Sequence, residues 1–401
     1  MKILHTSDWH LGQYFMMKSR ESEHLAFLNW LVGTVVAQSI DALIVAGDIF
    51  DSASPPSYAR KLYSDFIVKL QKSGCTQLII VSGNHDSVAV LNESKILLKA
   101  LNVSVLAGLS DDLSEHLVKV SNKQGDEAII CALPFLRATD VMSSEAGSSA
   151  EQKQMNLQQG ITKTYQDIYQ LAKLQTTDKN SPIIATGHLT AVGCSVSESV
   201  RDIYIGTLTA FPASLFPAFD YIALGHLHRA QKVQKSEHIR YSGSPIALSF
   251  DEAKHEKSVV IVEFSNNSEL NTSQTPIPNF QKMVVIKGDL SAVKKELSSL
   301  IEAKQSVWVE VKIDEIFYRA DLQVELNSLV ASTPVEILKI SSLKIDENSQ
   351  WQSEHVETLE TLTPLDLFQY RLDCEEVLTE LQKTELKMLF QQTVAELERT
   401  S

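Results

Sequence analysis

Side chains of the kinds that bind metal ions recur in five short segments of the sequence. The segments are Ser7-Asp8-Trp9-His10, Gly47-Asp48, Gly83-Asn84-His85-Asp86, Gly187-His188 and Gly225-His226-Leu227-His228. Imidazole nitrogens combined with carboxylate and amide oxygens, without any thiolate, suit manganese, iron or zinc better than calcium. If the five segments converge in the fold, they provide enough ligands for two divalent ions.

Two ions that lie close together have to share a ligand, and Asp48 is the best candidate for the shared carboxylate. One ion would then take Asp8, His10, Asp48 and His228, and the other would take Asp48, Asn84, His188 and His226. Metal ions roughly 3.5–4 Å apart can lower the pKa of a shared water and clamp a phosphodiester for in-line attack. The segments therefore predict a two-metal phosphodiesterase in which hydroxide is the nucleophile.

His85 is adjacent to the predicted ligand Asn84 and can face the substrate instead of the ions. The leaving oxygen of a cleaved diester needs a proton or equivalent stabilisation, and an imidazole of near-neutral pKa suits general acid catalysis. We therefore predict that His85 is catalytic. Asp51 and Asp86 are both candidates for orienting its ring, and the sequence does not decide between them.

Short apolar runs precede the ligand segments, as expected if each segment leaves the end of a β-strand. The strands predicted in this part of the chain are Ile3 to Thr6, Ala42 to Ala46, Gln77 to Val81, Ala128 to Leu133, Ile183 to Ala185, Tyr221 to Leu224 and Val259 to Phe264. Apolar residues at helical spacing predict helices from Ser22 to Gln38 and from Tyr58 to Lys72. This alternation predicts an α/β fold with layered sheets, whose strand ends bring distant residues to one crevice.

The residues around the ligands favour a compact cluster. Four of the five segments place glycine before the first ligand, which suits a tight exit from a strand and close approach of the backbone to ions or phosphate. In the remaining segment Asp8 and His10 are two residues apart, which would put both side chains on one side of an extended chain.

The rest of the chain predicts two further parts. Residues 271 to 279, Asn-Thr-Ser-Gln-Thr-Pro-Ile-Pro-Asn, have the composition of a linker. The elements predicted after it are strand Met283 to Lys287, a helix from Ser291 to Ala303 with Asp289 as its N-cap, strand Val307 to Ile313, helix Leu322 to Val330, strand Val335 to Ile340, and helices Pro364 to Leu381 and Lys383 to Arg399. We predict a catalytic domain at residues 1–270, an α+β domain at 280–343 and a C-terminal helical segment at 364–399.

Composition excludes several classes of protein. With 401 residues, of which 44% are hydrophobic and 21% charged, the chain is expected to form a globular protein of two or three domains. The net charge of -14 argues against binding nucleic acid through overall positive charge, although residues 346–401 account for nine of these charges. No apolar run reaches the roughly 18 residues of a membrane span and no signal peptide is visible, so the expected location is cytoplasmic. The four cysteines form no Cys-x-x-Cys pair, which disfavours a zinc knuckle or a disulfide framework.

Each candidate residue also has a purely structural interpretation. A single histidine is more often a hydrogen-bonded core residue than a ligand, and Asn84 alone could be a turn residue. Five of the eleven histidines fall inside the five segments, however, and this favours a shared site. Trp9 could form a wall of the site or simply pack in the core. Basic residues that could bind phosphate near the segments are Arg20, Arg60, Lys61, Arg137 and Arg201, although isolated basic residues usually lie on solvated faces.

The five segments, in this order, resemble those of the calcineurin-like metallophosphoesterase superfamily. A narrower set is similar to the family of bacterial SbcD nuclease subunits; it comprises Ser-Asp-Trp-His-Leu-Gly at 7–12, Gly-Asp-Ile-Phe-Asp at 47–51, Gly-His-Leu-Thr at 187–190, Ile-Tyr-Ile-Gly-Thr at 203–207 and Tyr-Ser-Gly-Ser-Pro at 241–245. The likeness covers essentially the whole chain. The seven predicted ligands and His85 correspond to the family's motif position by position.

The resemblance implies a nuclease that uses manganese, with magnesium as the alternative ion, and that degrades double-stranded DNA ends and opens hairpins. It also implies a partner ATPase, SbcC, that docks on the C-terminal helices, and a homodimer of this chain within a heterotetramer. Judged by periodicity alone, those helices could equally pack on their own protein's core. The α+β domain would be the DNA-facing cap. Archaeal and eukaryotic relatives have a second histidine where this chain has Asp51, which implies a different handling of the scissile phosphate.

Two other classes of function are compatible with the metal segments. The segments alone do not select a substrate, so a protein phosphatase or a cyclic-nucleotide phosphodiesterase is the alternative enzyme. A non-catalytic scaffold that binds DNA ends is the alternative outside enzymes. The additional domains favour the nuclease, and the complete set of competent side chains disfavours the scaffold.

Overall fold

The computed structural model describes residues 1–142, 149–176, 181–197, 199–200, 210–265, 269–313, 320–342, 382–383 and 386–390. The chain up to Ser342 is one compact unit, and residues 343–401 are a second. The strands are β1 (Lys2–Thr6), β2 (Tyr14–Phe15), β3 (Lys18–Ser19), β4 (Ala42–Ala46), β5 (Gln77–Val81), β6 (Val103–Leu106), β7 (Leu117–Ser121), β8 (Glu127–Cys131), β9 (Ile183–His188), β10 (Tyr221–Gly225), β11 (Gln231–Lys232), β12 (Ile239–Tyr241), β13 (Ser258–Phe264), β14 (Leu270–Pro276), β15 (Lys282–Gly288), β16 (Val307–Ile313) and β17 (Val335–Ser342). The α-helices are α1 (Glu21–Ala37), α2 (Ser57–Leu70), α3 (Val88–Asn92), α4 (Lys95–Lys99), α5 (Ala138–Val141), α6 (Ala150–Gln175), α7 (Leu290–Glu302) and α8 (Ala320–Val330).

Two six-stranded sheets pack face to face to form the larger part of the first unit. Their strand orders are β14-β13-β1-β4-β5-β6 and β11-β12-β10-β9-β8-β7. The core between them consists of small and branched apolar side chains such as Ile44, Ile79, Ile130 and Ile184. Burying each such side chain contributes roughly 1.5–3 kcal/mol, so this layer is a major source of stability.

Helices cover the outer face of each sheet. On the first sheet, Phe27 of α1 and Phe66 of α2 pack in one apolar cluster with Leu43 of β4. On the second, Leu157 and Ile161 of α6 belong to the cluster that covers the sheet's outer face. The result is a four-layered α/β sandwich, and the predicted layered fold is confirmed.

Parallel strands in the middle of each sheet carry the ligand segments. Strand β1 is parallel to β4 and β4 to β5, while β9 is parallel to β10. The carboxyl ends of neighbouring parallel strands lie at the same edge of a sheet, so the segments after them meet there. The predicted strands Ala42–Ala46 and Gln77–Val81 have the same bounds in the structure.

The predicted linker is wrong over most of its length. Residues Leu270–Pro276 form strand β14, which pairs antiparallel with β13 along its whole length. Its residues are half-buried or exposed because it is the edge strand of the sheet, and this explains its polar, linker-like composition. The sequence reasoning also missed α6, although Leu157, Ile161, Tyr165 and Ile168 repeat at helical spacing and are fully or almost fully buried.

Residues 282–342 form a smaller α+β part with a parallel three-stranded sheet in the order β15-β16-β17. Helices α7 and α8 cover it, and the Asp289 side chain accepts a 2.8 Å hydrogen bond from Ala292 N, which confirms the predicted N-cap. Trp308 and Met283 of this part share an apolar cluster with Phe15 and Phe250 of the sandwich.

Little of the predicted C-terminal helical segment is described. Residues 382–383 and 386–390 are helical, and the remainder of Pro364 to Arg399 lies outside the described residues. The segment Ile-Tyr-Ile-Gly-Thr at 203–207 and Arg201 also lie outside them. Among the helices that the structure describes, none combines the length and apolar character that a membrane crossing requires.

Candidate metal centre and active site

Several ligand residues have an unusual backbone conformation. Asp8, His10, Asp48 and His226 have φ angles of 53°, 47°, 50° and 97°. Left-handed backbone costs a non-glycine residue on the order of 1–3 kcal/mol and is typical of functional sites. The idea that Asp8 and His10 share one side of an extended chain is therefore wrong: tight left-handed turns, not β geometry, direct these side chains.

Main-chain hydrogen bonds hold the loop after β1 against the loop after β4. Asp8 N donates to Gly47 O at 3.0 Å, and His10 N donates to Asp48 O at 3.0 Å. Gly47 has φ +92°, and a Cβ there would lie 2.2 Å from Nδ1 of His188. This glycine therefore lets two ligand segments pack together, a closer constraint than the predicted approach of ions or phosphate.

Asp8, His10 and His228 form the first group of converging ligands. All three are buried, and a potential ligand atom of each lies within 4.8 Å of those of the other two. The Asp8 carboxylate is held by Ser7 Oγ at 2.5 Å and by the main-chain nitrogen of His226 at 2.8 Å. The structure thus brings the first predicted ligand set together.

Asp48, His188 and His226 form the second group, whose ligand atoms also lie within 4.8 Å of one another. Asn84 joins them, since its Oδ1 is 3.0 Å from His188 Nε2 and 3.2 Å from His226 Nδ1. The amide oxygen of Asn84 therefore points into the group, as expected of a ligand and not of a simple turn residue.

Asp48 lies between the two groups. Its Oδ2 is 3.2 Å from His188 Nε2 and 3.6 Å from His10 Nε2. Burial alone would raise the pKa of this carboxyl group, but His188 and His10 hold it well below the usual value. Burial alone would likewise lower the pKa of His188, but Asp48 raises it to about 9. Asp48 is therefore an ionised carboxylate placed where both groups can use it.

The ligand imidazoles are oriented by groups on their far sides. His10 Nδ1 is 3.1 Å from Asp51 Oδ1, and His188 Nδ1 donates to Ala46 O at 3.0 Å. Such contacts fix the tautomer and the direction of a ligand histidine. His228 Nδ1 is 3.2 Å from Glu252 Oε1. Glu252 was missed in the sequence because no metal-type motif surrounds it; the one available signal is an acidic residue in an otherwise apolar turn.

Asp86 does not orient His85, contrary to one of the two alternatives raised by the sequence. Its carboxylate is buried and accepts hydrogen bonds from the main-chain nitrogens of Ile49 at 3.1 Å, Phe50 at 2.9 Å and Gly83 at 2.9 Å. Burial and the neighbouring Asp48 raise the pKa of Asp86 to about 6. Its role is to hold the loops that carry Asp48 and Asn84.

His85 lies beside the two groups. Its main-chain nitrogen donates to Asp48 Oδ1 at 2.9 Å, and its Nδ1 donates to the main-chain oxygen of Asp51 at 2.8 Å. A carbonyl oxygen only accepts hydrogen bonds, so Nδ1 carries a proton and Nε2 is the nitrogen that can exchange one with a substrate. The ring of His85 meets that of His10 edge to face, with centroids 4.8 Å apart.

A cleft of about 310 Å³ gives access to this side of the site. His10, His85 and His228 line it together with Tyr14 and Met16 of the β2–β3 hairpin. The side chains of Tyr14 and Met16 are 60% and 45% exposed, so the hairpin presents apolar surface at the mouth of the cleft.

Trp9 and the candidate phosphate-binding residues have structural partners. Trp9 is fully buried and packs against Phe27 and Phe66, so it is a core residue. Arg20 is also fully buried: its Nη2 donates to Glu23 at 2.7 Å, and its guanidinium lies 5.3 Å from the ring centre of Trp308. Arg20 therefore joins the sandwich to the α+β part and is not a phosphate ligand.

The remaining basic candidates lie on the surface. Arg60 is paired with Glu93 at 3.1 Å, and Lys61 is paired with Asp65 at 2.6 Å. Arg137 is exposed and stands at the N-cap position of α5. None of these three observations marks a phosphate site.

The residues present fit a pair of divalent ions. His10 Nε2 is buried and has no hydrogen-bond partner among the described residues, although it faces the Asp48 carboxylate. Buried polar atoms normally have a partner, and a metal ion would supply one. Burial and the nearby His188 hold the pKa of His226 well below its usual value, so this ligand is neutral and can bind metal. Nitrogen and oxygen donors without sulfur suit a divalent transition metal or magnesium.

Known proteins resemble the chain over nearly its whole length. A model described as calcineurin-like phosphoesterase matches residues 1–230, and one described as type 5 capsule protein repressor C-terminal domain matches residues 279–376. The chain is 46% identical to the SbcD subunit of the nuclease SbcCD from Escherichia coli (strain K12), with 98% of each chain covered. Proteins of the same name from Rhodobacter capsulatus and Bacillus subtilis are 35% and 30% identical, over 67% and 78% of this chain and 67% and 79% of theirs.

The calcineurin-like match spans all five ligand segments and His85, whereas Glu252 falls between the two matched regions. The relatives share one name and extend across both regions. The chain therefore belongs to the calcineurin-like phosphoesterases and, within them, to the family of SbcD nuclease subunits.

Proposed function

We propose that this chain is a metal-dependent DNA nuclease that hydrolyses phosphodiester bonds at a pair of divalent ions. The observation that carries the proposal is the position of the Asp48 carboxylate, 3.2 Å from a nitrogen of His188 and 3.6 Å from a nitrogen of His10. One carboxylate between two ligand groups is what a shared-ligand pair of ions requires. The similarity to proteins named nuclease directs this chemistry toward nucleic acid.

The two ion positions follow from the two groups of side chains. Asp8, His10, Asp48 and His228 would hold one ion, and Asp48, Asn84, His188 and His226 the other. When bound, such a pair supplies an activated water and stabilises the charge that develops on the phosphate. We expect manganese to be the ion, with magnesium as the alternative.

The residues of the chain provide the remaining steps. His85 lies beside both groups and can donate a proton from Nε2 to the leaving oxygen, since its Nδ1 is committed to the Asp51 carbonyl. Asp86 holds the loops that carry Asp48 and Asn84 in place. His85 and the ligand groups together thus cover nucleophile activation and leaving-group protonation.

DNA suits the mouth of the cleft better than a small diester does. Tyr14 and Met16 present an exposed aromatic ring and a thioether beside His10 and His85. Nucleobases stack on such surfaces with little regard to sequence, at roughly 1–3 kcal/mol per base. Since the overall charge is negative, we expect binding to rely on such contacts and on the ions themselves.

The partner proposals rest on the relatives. Their shared name, which makes each of them the SbcD subunit of a nuclease called SbcCD, supports an SbcC-type ATPase partner for this chain. We propose that the partner docks on the C-terminal helical segment at 364–399, that the α+β part faces DNA, and that the chain acts as a homodimer within a heterotetramer. Deletion of residues 364–401 should abolish partner binding while metal-dependent cleavage of simple substrates persists.

The test is a cleavage assay on three substrates. We would incubate the purified chain with linear duplex DNA, a DNA hairpin and a chromogenic phosphodiester, each with manganese, with magnesium or with chelator. The proposal expects ion-dependent cleavage of both DNA substrates and none with chelator. Turnover of the small diester alone, even with the ATPase partner present, would leave a phosphodiesterase and refute the nuclease.

A further inference from the structure

A buried glutamate lies behind one of the proposed ligands. Glu252 belongs to the short 3-10 helix Asp251–Lys254 and its side chain is 0% exposed. Its Oε1 is 3.2 Å from Nδ1 of His228, on the opposite side of the ring from Nε2. Since it falls outside both regions matched by the family comparisons, only the three-dimensional structure connects it with the site.

The other oxygen of this carboxylate is fully occupied. Glu252 Oε2 accepts hydrogen bonds from Lys257 Nζ at 2.6 Å, from Leu248 N at 3.1 Å and from Ser244 Oγ at 3.3 Å. A buried carboxylate is stable when it is paired and hydrogen-bonded in this way. Oε2 is thus anchored, and Oε1 is left to face the imidazole of His228.

Lys257 also holds the main chain of the ligand. Its Nζ donates to the carbonyl oxygen of His228 at 3.0 Å and to Ser244 Oγ at 2.8 Å. The same ammonium group therefore restrains the backbone of His228 and the carboxylate that faces its ring. Ring and main chain are restrained as one structure.

The hydrogen bonds around His228 Nδ1 determine which nitrogen carries the proton. Ser199 Oγ lies 2.6 Å from this nitrogen and donates its own hydrogen to Glu252 Oε1. A carboxylate can only accept, so the hydroxyl hydrogen points to Glu252 and the hydroxyl lone pair faces Nδ1. Both neighbours of Nδ1 are then acceptors, and the neutral ring must carry its hydrogen on Nδ1.

We infer that Glu252 is a positioning residue: with Ser199 and Lys257, it fixes His228 in the Nδ1-protonated form that aims the lone pair of Nε2 at Asp8 and His10. This inference rests on the proposed metal-dependent function and adds a residue to it. Partners of this kind orient a ligand histidine, and their removal typically lowers metal affinity roughly 10–100-fold.

The variant Glu252→Gln tests the inference with almost no change in volume. The amide NH₂ group cannot face the Lys257 ammonium, so it turns toward His228 and favours the wrong tautomer. We would titrate the full chain with manganese and measure free ion by electron paramagnetic resonance, with a thermal melt to monitor folding. The matched control is Glu256→Gln, an exposed acid four residues away.

The expected result is two manganese sites in the wild type, of which Glu252→Gln weakens one roughly 10–100-fold while the other site and the control remain unchanged. Two sites of unaltered affinity in Glu252→Gln would overturn the inference alone. A wild-type chain that binds no ion would overturn the proposed function and, with it, this inference.

A second measurement does not depend on whether the variant folds. Nitrogen-15 spectra of histidine-labelled wild-type protein report the tautomer of each ring, and the His228→Gln variant identifies the signals of His228. We expect hydrogen on Nδ1 in the metal-free chain. Hydrogen on Nε2 would contradict the inference directly.

Discussion

The two ligand groups of the site are supported in different ways. In the group of Asp8, the imidazoles of His10 and His228 face carboxylates, Asp51 Oδ1 at 3.1 Å and Glu252 Oε1 at 3.2 Å. In the group of Asn84, His188 faces a main-chain oxygen, that of Ala46, at 3.0 Å. One ion position thus depends on acidic side chains, and the other depends on the sheet itself.

This difference indicates which part of the site a substitution can change. A carboxylate partner makes a ligand histidine more basic and can be removed by one mutation. The Ala46 carbonyl belongs to a buried central strand and cannot be removed without disrupting β4. We therefore expect the ion near Asp8 to be tunable and the ion near Asn84 to be resistant, with Asp48 common to both.

Asp48→Ala should have the largest effect because it removes the ligand that both groups share. We expect loss of both ions and a fall in cleavage on the order of 10³-fold or more, since even one lost electrostatic contact can cost about 10²–10³. Manganese titration and a DNA cleavage assay would measure this. If Asp48→Ala still bound two ions, the two groups would be independent and Asp48 would not link them.

His85→Ala should leave both groups intact and affect the proton transfer alone. We expect both ions and DNA to bind normally, while DNA cleavage falls roughly 10²–10⁴-fold. A p-nitrophenyl diester, whose leaving group needs no proton, should lose far less activity. An equal loss on both substrates would reject the acid assignment.

Asp51→Asn should separate the two groups. It removes the carboxylate that faces His10, so we expect the ion near Asp8 to bind roughly 10–100-fold more weakly while the second ion is unaffected. Competitive titration with manganese would resolve the two affinities. Equal weakening of both ions would show that the two groups are not supported separately.

Two buried histidines outside the ligand groups provide the smallest effect. Burial lowers the pKa of His5 and of His24 to about 3, so both are neutral in the folded protein. The unfolded chain binds these protons below a pKa of about 6.5, so stability is complete above that pH and declines as the pH falls toward 3. The loss should approach about 1.4 kcal/mol per pH unit for each ring.

Urea unfolding at pH 5 and pH 7 would measure this decline, and His24→Gln should reduce its slope by the contribution of one proton. Ligand histidines behave differently, since His188 is held near charged Asp48. An unchanged slope in His24→Gln would contradict the assignment of His24 as a neutral core residue.

Sequence patterns were most informative where the local sequence alone determines structure. The runs Ala42–Ala46 and Gln77–Val81 are buried on both faces, so they are apolar throughout and were predicted with their true bounds. The ligand segments were identified because their side chains stand directly after such strands. The strand β14 was missed since an edge strand can be polar.

Contacts between distant residues could not be predicted in this way. Glu252 reaches His228 only because a turn before β13 folds over the end of β10, and Arg20 loses its apparent suitability for phosphate only because Phe15 and Trp308 enclose it. The left-handed turns at Asp8 and His10 likewise depend on hydrogen bonds to the loop after β4. Each of these features results from packing between segments far apart in the chain.

The most direct test of the central claim is a crystal structure with manganese, with anomalous diffraction measured at the manganese edge. The account predicts two anomalous peaks roughly 3.5–4 Å apart, one on each side of the Asp48 carboxylate. A single peak, or two peaks that do not share Asp48, would contradict it.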